Sequence, residues 1–125
     1  MGKASREAIG KFLEEFKEIA VDRGIYVLSR RKNLQSLAYL GLTKANCKEE
    51  ILGLSVADYC AGPKPDRDEP GEIWEFGKVI RGIGVYVKLK VAQVDEDKIA
   101  KCLSFHIAER PISCPYQDNP EERER

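Results

Sequence analysis

Four residues in the C-terminal half of the chain are suited to proton transfer and phosphate binding: Glu75, Tyr86, Lys88 and the single histidine, His106. Imidazole titrates near neutral pH, so His106 is the natural general acid or base, and Glu75 is the next candidate. Lys88 suits the stabilisation of charge growing on a phosphate, and Tyr86 suits base stacking or hydrogen bonding to phosphate. The set fits metal-free RNA cleavage, in which a ribose 2′-hydroxyl attacks its own phosphate.

Four further polar residues are predicted to bind RNA or phosphate. Lys64 and Arg67 belong to the segment that enters the first strand of the predicted sheet, where cations hold flanking phosphates. Ser104 shares the strand of His106, and Arg110 follows that strand. We predict no metal and no organic cofactor. The four cysteines stand singly, without a C-x-x-C pair or a neighbouring histidine at ligand spacing, so we expect reduced, partly buried thiols and no zinc site.

Alternation with period two brings the candidate residues to one face of a sheet. Polar residues alternate with apolar residues in the stretches 73–77, 84–94 and 101–107, and successive side chains of a strand point to opposite faces. Strict alternation also puts Cys102 on the polar face and Lys101 and Leu103 on the apolar face. The polar face predicted in this way carries Glu75, Tyr86, Lys88, Ser104 and His106.

Helix-forming patterns precede these strands. Apolar residues spaced by three and four predict helices over 5–23, 31–40 and 44–52, and a short strand is predicted over 25–28. The stretch 61–71 has three prolines and two glycines and is predicted to be a loop. Turns at 82–84 and 95–97 join the last three strands into an antiparallel meander. We therefore predict an α+β fold with N-terminal helices packed on one face of a C-terminal antiparallel β-sheet.

The composition indicates one globular domain, since 42% of the 125 residues are hydrophobic and 34% are charged. We expect this domain to span 1–116 and a charged, flexible tail to occupy 117–125. Because we find neither a bilayer-length apolar run nor a secretory signal, we expect a cytoplasmic protein without a membrane partner. The formal net charge is +0, but 23–90 contains twelve Lys and Arg against eight Asp and Glu. This local excess suits a phosphate-binding surface or a solvated mixed-charge surface.

Several short motifs follow one another in an order found in a toxin family. They are Leu40-Gly41-Leu42-Thr43, then the stretch 54–59 (LSVADY), Ile73-Trp74, the stretch 85–89 (VYVKL) and Leu103-Ser104-Phe105. Together, over about residues 8 to 110, they resemble the MqsR family of toxins (motility quorum-sensing regulator). The loop 62–71 and the ending Ser104-Phe105-His106-x-Ala108-Glu109 resemble one branch of that family.

The resemblance implies a RelE-like ribonuclease fold and the mRNA-cleaving toxin of a type II toxin–antitoxin system. It also implies a cognate antitoxin that neutralises the toxin, and we expect this antitoxin to be a helix-turn-helix DNA-binding protein. The site tyrosine of the family falls on Tyr86, with Lys88 following in the same Y-x-K strand. This chain has Cys60-Ala61 where the best-known members have a site lysine, so Lys64 or Arg67 would substitute. It has Glu75 where they have glutamine.

Plainer explanations stand beside the nuclease hypothesis. A lone histidine near a strand end is commonly structural, Lys88 and Glu75 suit a cross-strand ion pair, and Lys64 and Arg67 suit a solvated loop. The main alternative function is a non-catalytic RNA- or protein-binding module of the same fold. A structural or interaction domain with no nucleic-acid role is the third.

Overall fold

The computed structural model describes residues 3–117, which form three α-helices, one short 3-10 helix (Val56–Asp58) and one five-stranded sheet. The helices are α1 (Arg6–Arg23), α2 (Arg31–Leu40) and α3 (Lys44–Leu52). The strands are β1 (Ile25–Val27), β2 (Tyr59–Pro65), β3 (Glu72–Ile80), β4 (Ile83–Val94) and β5 (Asp97–Ile107). The α+β class is confirmed. Of the charged tail predicted at 117–125, all but Gln117 lies outside the described residues.

The three α-helices begin and end within one residue of the predicted bounds. Ser5 caps α1, since its hydroxyl accepts the N–H of Ala8 at 3.1 Å, and Thr43 caps α3 in a reciprocal capping box with Asn46. Gly41 ends α2 in the left-handed conformation, with φ of 70°. Among residues 3–117, no helix is both long and apolar enough to cross a membrane.

The apolar faces of the helices and of the sheet meet in one core. Phe12 of α1 stacks on Trp74 of β3, with ring centroids 4.8 Å apart and planes inclined by 12°. Burial of apolar side chains of this size contributes roughly 1.5–3 kcal/mol each, so the core decides which face of the sheet stays open. The alternation predicted for β4 is confirmed by the residues that it buries against the helices: Val85, Val87 and Leu89.

The strand order in the sheet is β1-β5-β4-β3-β2. Strands β3 to β5 pair antiparallel, as predicted; β2 adds to β3 as an antiparallel edge strand that was not predicted, and β1 pairs parallel to β5. The prediction of a C-terminal antiparallel sheet is therefore confirmed for β3 to β5, whereas no direction was predicted for β1. The direction of a three-residue strand depends on the paths of the helices before and after it, which local residue patterns do not reveal.

The first half of the predicted loop 61–71 is a strand. β2 contains Gly62, Pro63 and Pro65 and pairs with β3 through two register shifts. β2 lies at the edge of the sheet. Proline has no N–H to donate, and an edge strand tolerates it because one side of the strand needs no hydrogen-bond partner. The irregular loop is limited to 66–71, and the N–H of Asp66 closes it by donating to the carbonyl of Gly71 at 3.0 Å.

A β-bulge in β5 changes which of its residues share a face. The pairing with β4 passes from Cys102 directly to Ser104, so Leu103 is an extra residue. Cys102 lies in the core and Lys101 on the open face, the reverse of the prediction from strict alternation. Beyond the bulge, Ser104 and His106 lie on the open face, as predicted. Strict alternation without the bulge could not place Cys102 in the core and also Ser104 and His106 on the open face.

Candidate functional site

An open cleft of about 590 Å³ lies on the polar face of the sheet. Side chains of β2 to β5 form its floor, and the segment 108–113, which follows β5, forms one wall; we call 108–113 the wall segment. The structure thus brings together all four residues predicted to act in catalysis and two predicted to bind RNA. The predicted residues that line the cleft are Glu75, Tyr86, Lys88, His106, Lys64 and Arg110.

Glu75 is held between two neighbours on the cleft floor. Its Oε1 accepts the phenol O–H of Tyr86, and its Oε2 lies 3.2 Å from Nζ of Lys64. Glu75 itself is only 5% exposed. Both carboxylate oxygens are engaged, so Glu75 is placed to position Tyr86 and Lys64, and its proposed use as a general base is not supported. Lys64 reaches the cleft beside Ala61, where the family resemblance left a lysine missing.

The phenol of Tyr86 is kept protonated by its surroundings. Burial raises the pKa of Tyr86 above its ordinary value of 10.0, and the hydrogen bond to the charged Glu75 raises this pKa further. At neutral pH the phenol is therefore a neutral group whose proton points to Glu75. Tyr86 can accept a hydrogen bond or stack on a base, but it is not placed to act as a base.

Glu75→Gln is expected to lower the pKa of Tyr86 from its wild-type value. The amide oxygen still accepts the phenol hydrogen bond, but the negative charge that opposes ionisation is gone. Ultraviolet titration of tyrosinate at alkaline pH, with Tyr86→Phe used to identify the Tyr86 component, measures the change. Glu72→Gln, at an exposed position of the same strand, is the matched control and should leave this component unchanged. An identical Tyr86 titration in wild type and Glu75→Gln would contradict the contact.

His106 lies opposite Tyr86 across the strand pair β4–β5. The two rings meet edge to face, with centroids 6.0 Å apart and planes inclined by 85°. Nδ1 of His106 lies 3.1 Å from the carbonyl oxygen of Ile107. A carbonyl only accepts, so Nδ1 carries the proton in this contact, and Nε2 of the neutral ring keeps its lone pair. This tautomer is suited to a general base.

Helix α2 fixes the backbone on both sides of His106. Beyond the end of β1, the amide of Asn33 accepts the N–H of Phe105 at 3.0 Å, and the hydroxyl of Ser36 accepts the N–H of Ile107 at 2.9 Å. Both α2 side chains are buried, so they replace a neighbouring strand along this part of β5. Neither positioning residue was predicted from the sequence. The one indication in the sequence was that Asn33 and Ser36 fall on the same helix face as Leu37 and Leu40, where a polar side chain needs a hydrogen-bond partner.

Lys88 and Arg110 supply positive charge to the cleft. Nζ of Lys88 lies 5.8 Å from the centroid of the Tyr86 ring. Lys88 and Glu75 are directly opposite in register, yet the ion pair of Glu75 is made with Lys64. Between residues 3 and 117, neither Lys88 nor Arg110 forms an ion pair with a carboxylate. Both cations therefore face the cleft in a form suited to binding an anion.

A second cleft of about 460 Å³ continues from the first and shares Lys64, Glu75 and Lys88 with it. Arg67 lies in this second cleft and not beside His106. Two cations that the sequence analysis did not select line the same cleft: Arg30 and Lys101. Ser104 is on the open face but is 7% exposed and lines neither cleft, so its position does not support the predicted RNA contact.

The wall segment packs on the sheet through Ile112 at two glycines of the strands. A Cβ added to Gly77 would overlap Cγ2 of Ile112, and one added to Gly84 would lie 3.2 Å from Cδ1 of the same side chain. The N–H of Ala108 donates to the carbonyl of Gly84 at 2.9 Å. Because glycine has no side chain, the wall segment can pack directly on the strands at these two positions.

Gly77→Ala is expected to lift the wall segment from the sheet, because the new methyl group and Ile112 cannot occupy the same space. Hydrogen–deuterium exchange of peptides covering 108–117 should become faster than in the wild type. Gly10→Ala is the control, since a Cβ there meets no atom within 4 Å and the exchange of 108–117 should not change. Equal exchange in Gly77→Ala and wild type would show that Ile112 does not hold the segment.

This chain is an α+β domain whose sheet carries an open cleft lined by one histidine, one tyrosine and several cationic side chains. Across residues 3–117, His, Cys, Asp and Glu side chains form no group of three that would hold a metal ion. Comparison of the chain with known protein families, curated proteins and solved structures finds no match.

Proposed function

We propose that this chain is a metal-independent endoribonuclease of the RelE-like type, and the mRNA-cleaving toxin of a type II toxin–antitoxin pair. The observation that carries the proposal is the convergence of His106, Tyr86 and Lys88 on one open cleft. The ordered motifs that resemble the MqsR family support the same function. Cleavage of mRNA in the cytoplasm would inhibit translation and growth, and a helix-turn-helix antitoxin would neutralise the chain.

The cleavage follows from the groups that face the cleft. Nε2 of neutral His106 takes the proton of a ribose 2′-hydroxyl, and the 2′-oxygen forms a bond to the adjacent phosphorus. The bond from phosphorus to the 5′-oxygen breaks, and that oxygen takes a proton from the ammonium group of Lys88. Arg110 offsets the charge on the phosphate oxygens, and Tyr86 orients the nucleotide. The products are a 2′,3′-cyclic phosphate and a 5′-hydroxyl.

Purified chain tests the proposal with three single strands of one base sequence: RNA, 2′-O-methyl RNA and DNA. Only RNA should be cut, in the presence of EDTA as well as without it, and the new ends should be a cyclic phosphate and a 5′-hydroxyl. Induction of the chain in bacteria should slow growth and produce new mRNA ends. Cutting of 2′-O-methyl RNA would refute the 2′-hydroxyl mechanism. Binding of all three strands without cutting would favour the non-catalytic RNA-binding module.

A further inference from the structure

Two half-buried thiols meet where the chain beyond the wall segment lies against β2. Sγ of Cys60 lies 3.6 Å from Sγ of Cys114, and each sulfur lies 3.7 Å from the carbonyl oxygen of Asp58. Cys60 lines the cleft of His106, and Cys114 lines a neighbouring surface depression, so solvent reaches the pair. The remaining cysteines lie in the core: Cys47 and Cys102.

We infer that Cys60 and Cys114 form a redox modification site, which a small-molecule disulfide such as oxidised glutathione converts into an intramolecular disulfide. The two residues are 54 positions apart in the sequence, so only the fold brings their sulfurs into contact. A disulfide bond is about 2.05 Å long, and rotation of the two side chains closes the remaining gap. This inference uses neither the proposed RNA substrate nor any residue assigned to its cleavage.

The contact gives the two thiols different reactivities. The hydrogen bond from Cys60 lowers the pKa of Cys114 below its ordinary value of 9.0, while the same bond, together with burial, raises the pKa of Cys60. A thiolate is the nucleophile in thiol–disulfide exchange, so Cys114 attacks first. Cys60, in contact with the sulfur that has been modified, is then the resolving thiol.

The exchange balances in two steps. The thiolate of Cys114 forms a bond to one sulfur of oxidised glutathione, whose S–S bond breaks and releases one glutathione thiolate. Cys60 then loses its proton, its sulfur bonds to that of Cys114, and the second glutathione leaves as thiolate. The two cysteines lose two electrons and two protons, and the small-molecule disulfide is reduced to two thiols.

The product would join β2 covalently to the end of the chain that carries the wall segment. That segment is also held by Ile112 on Gly77 and Gly84, by one backbone hydrogen bond to Gly84, and by the ion pair of Glu109 with Lys32. Closing the long loop between Cys60 and Cys114 restricts the unfolded chain, so the oxidised form should be the more stable one. Oxidation of the two thiols would therefore fix the wall segment of the cleft that contains His106 more firmly to β2.

Reduced full-length chain incubated with oxidised glutathione tests the site. Intact mass should fall by two hydrogens with no retained glutathione, two of the four thiols should become unreactive, and peptide mapping should join Cys60 to Cys114. Tm should rise by several degrees and return to its starting value after reduction by dithiothreitol. Cys60→Ser should stop at one retained glutathione on Cys114, and Cys114→Ser should stay largely reduced.

Cys47→Ala is the matched control, because Cys47 is buried away from the pair, and this variant should form the same disulfide as the wild type. Retained glutathione on the wild type, a bond that includes Cys47 or Cys102, or four reactive thiols after the incubation would each overturn the inference. These readouts do not depend on RNA cleavage, so failure of the proposed nuclease activity leaves this test unaffected.

Discussion

His106→Ala is expected to lower the rate of RNA cleavage by about 10²–10⁴-fold, the contribution typical of a positioned general base. His106 is the only imidazole in the chain. The two carboxylates that line its cleft are each paired with a lysine, Glu75 with Lys64 and Glu109 with Lys32. The described cleft therefore contains no unpaired carboxylate that could replace His106 as the base. Single-turnover cleavage of an RNA oligonucleotide measures the rate, and anisotropy with the 2′-O-methyl strand measures binding.

Lys98→Ala is the matched control for this loss. Lys98 lies on the same strand as His106 but at its other end, where its ammonium contacts Glu15 at 2.7 Å, away from the cleft. The control should cleave at the wild-type rate, and both variants should bind the 2′-O-methyl strand as the wild type does. Wild-type cleavage by His106→Ala would remove His106 from the mechanism. Loss of binding together with cleavage would make it a binding residue.

Asp66→Asn is expected to lower Tm by roughly 10 °C, because it leaves a buried ammonium group without its carboxylate. Lys90 is 1% exposed, and its Nζ lies 2.7 Å from Oδ2 of Asp66. The pair ties the loop 66–71 to β4. Thermal unfolding followed by circular dichroism measures the change. Asp68→Asn, at an exposed position of the same loop, should change Tm little.

Addition of Lys90→Met to Asp66→Asn should recover much of the lost Tm, because the buried charge is then removed with its partner. A Tm of Asp66→Asn equal to that of the wild type would show that Lys90 finds another partner or water. A Tm of the double variant equal to that of Asp66→Asn alone would place the damage in the loop and not in the buried charge.

The ion pair also predicts a dependence of stability on acid. The hydrogen bond from Lys90 lowers the pKa of Asp66 from 3.8 to about 2. A carboxyl group whose pKa is lower in the folded state stabilises the fold at any pH above its pKa in the unfolded chain. Asp66 therefore loses this contribution as the pH falls from about 3.8 towards 2. In Lys90→Met the pKa of Asp66 should move back towards 3.8, as measured by carboxyl-carbon NMR. An unchanged pKa would contradict the pairing.

Local residue patterns were enough to predict the helices and the open face of β3 and β4. The apolar spacing in 5–23, 31–40 and 44–52 predicts helices that the structure contains at nearly the same bounds. The alternation in 84–94 predicts that Tyr86 and Lys88 point away from the core, and it needs no knowledge of distant residues. Both patterns are properties of a few neighbouring residues, because helix and strand geometry repeat over that range.

The residues that form the helices, and the strand residues that share the polar face of β3 and β4, could therefore be predicted from local sequence. The bulge at Leu103 in β5, the contacts of Glu75 with Tyr86 and Lys64, and the contact of Cys60 with Cys114 could not be predicted in this way. Each of these depends on strand register or on contacts between residues far apart in the chain. Side-chain alternation is local, whereas register and the partners of a buried group arise only when the whole core packs.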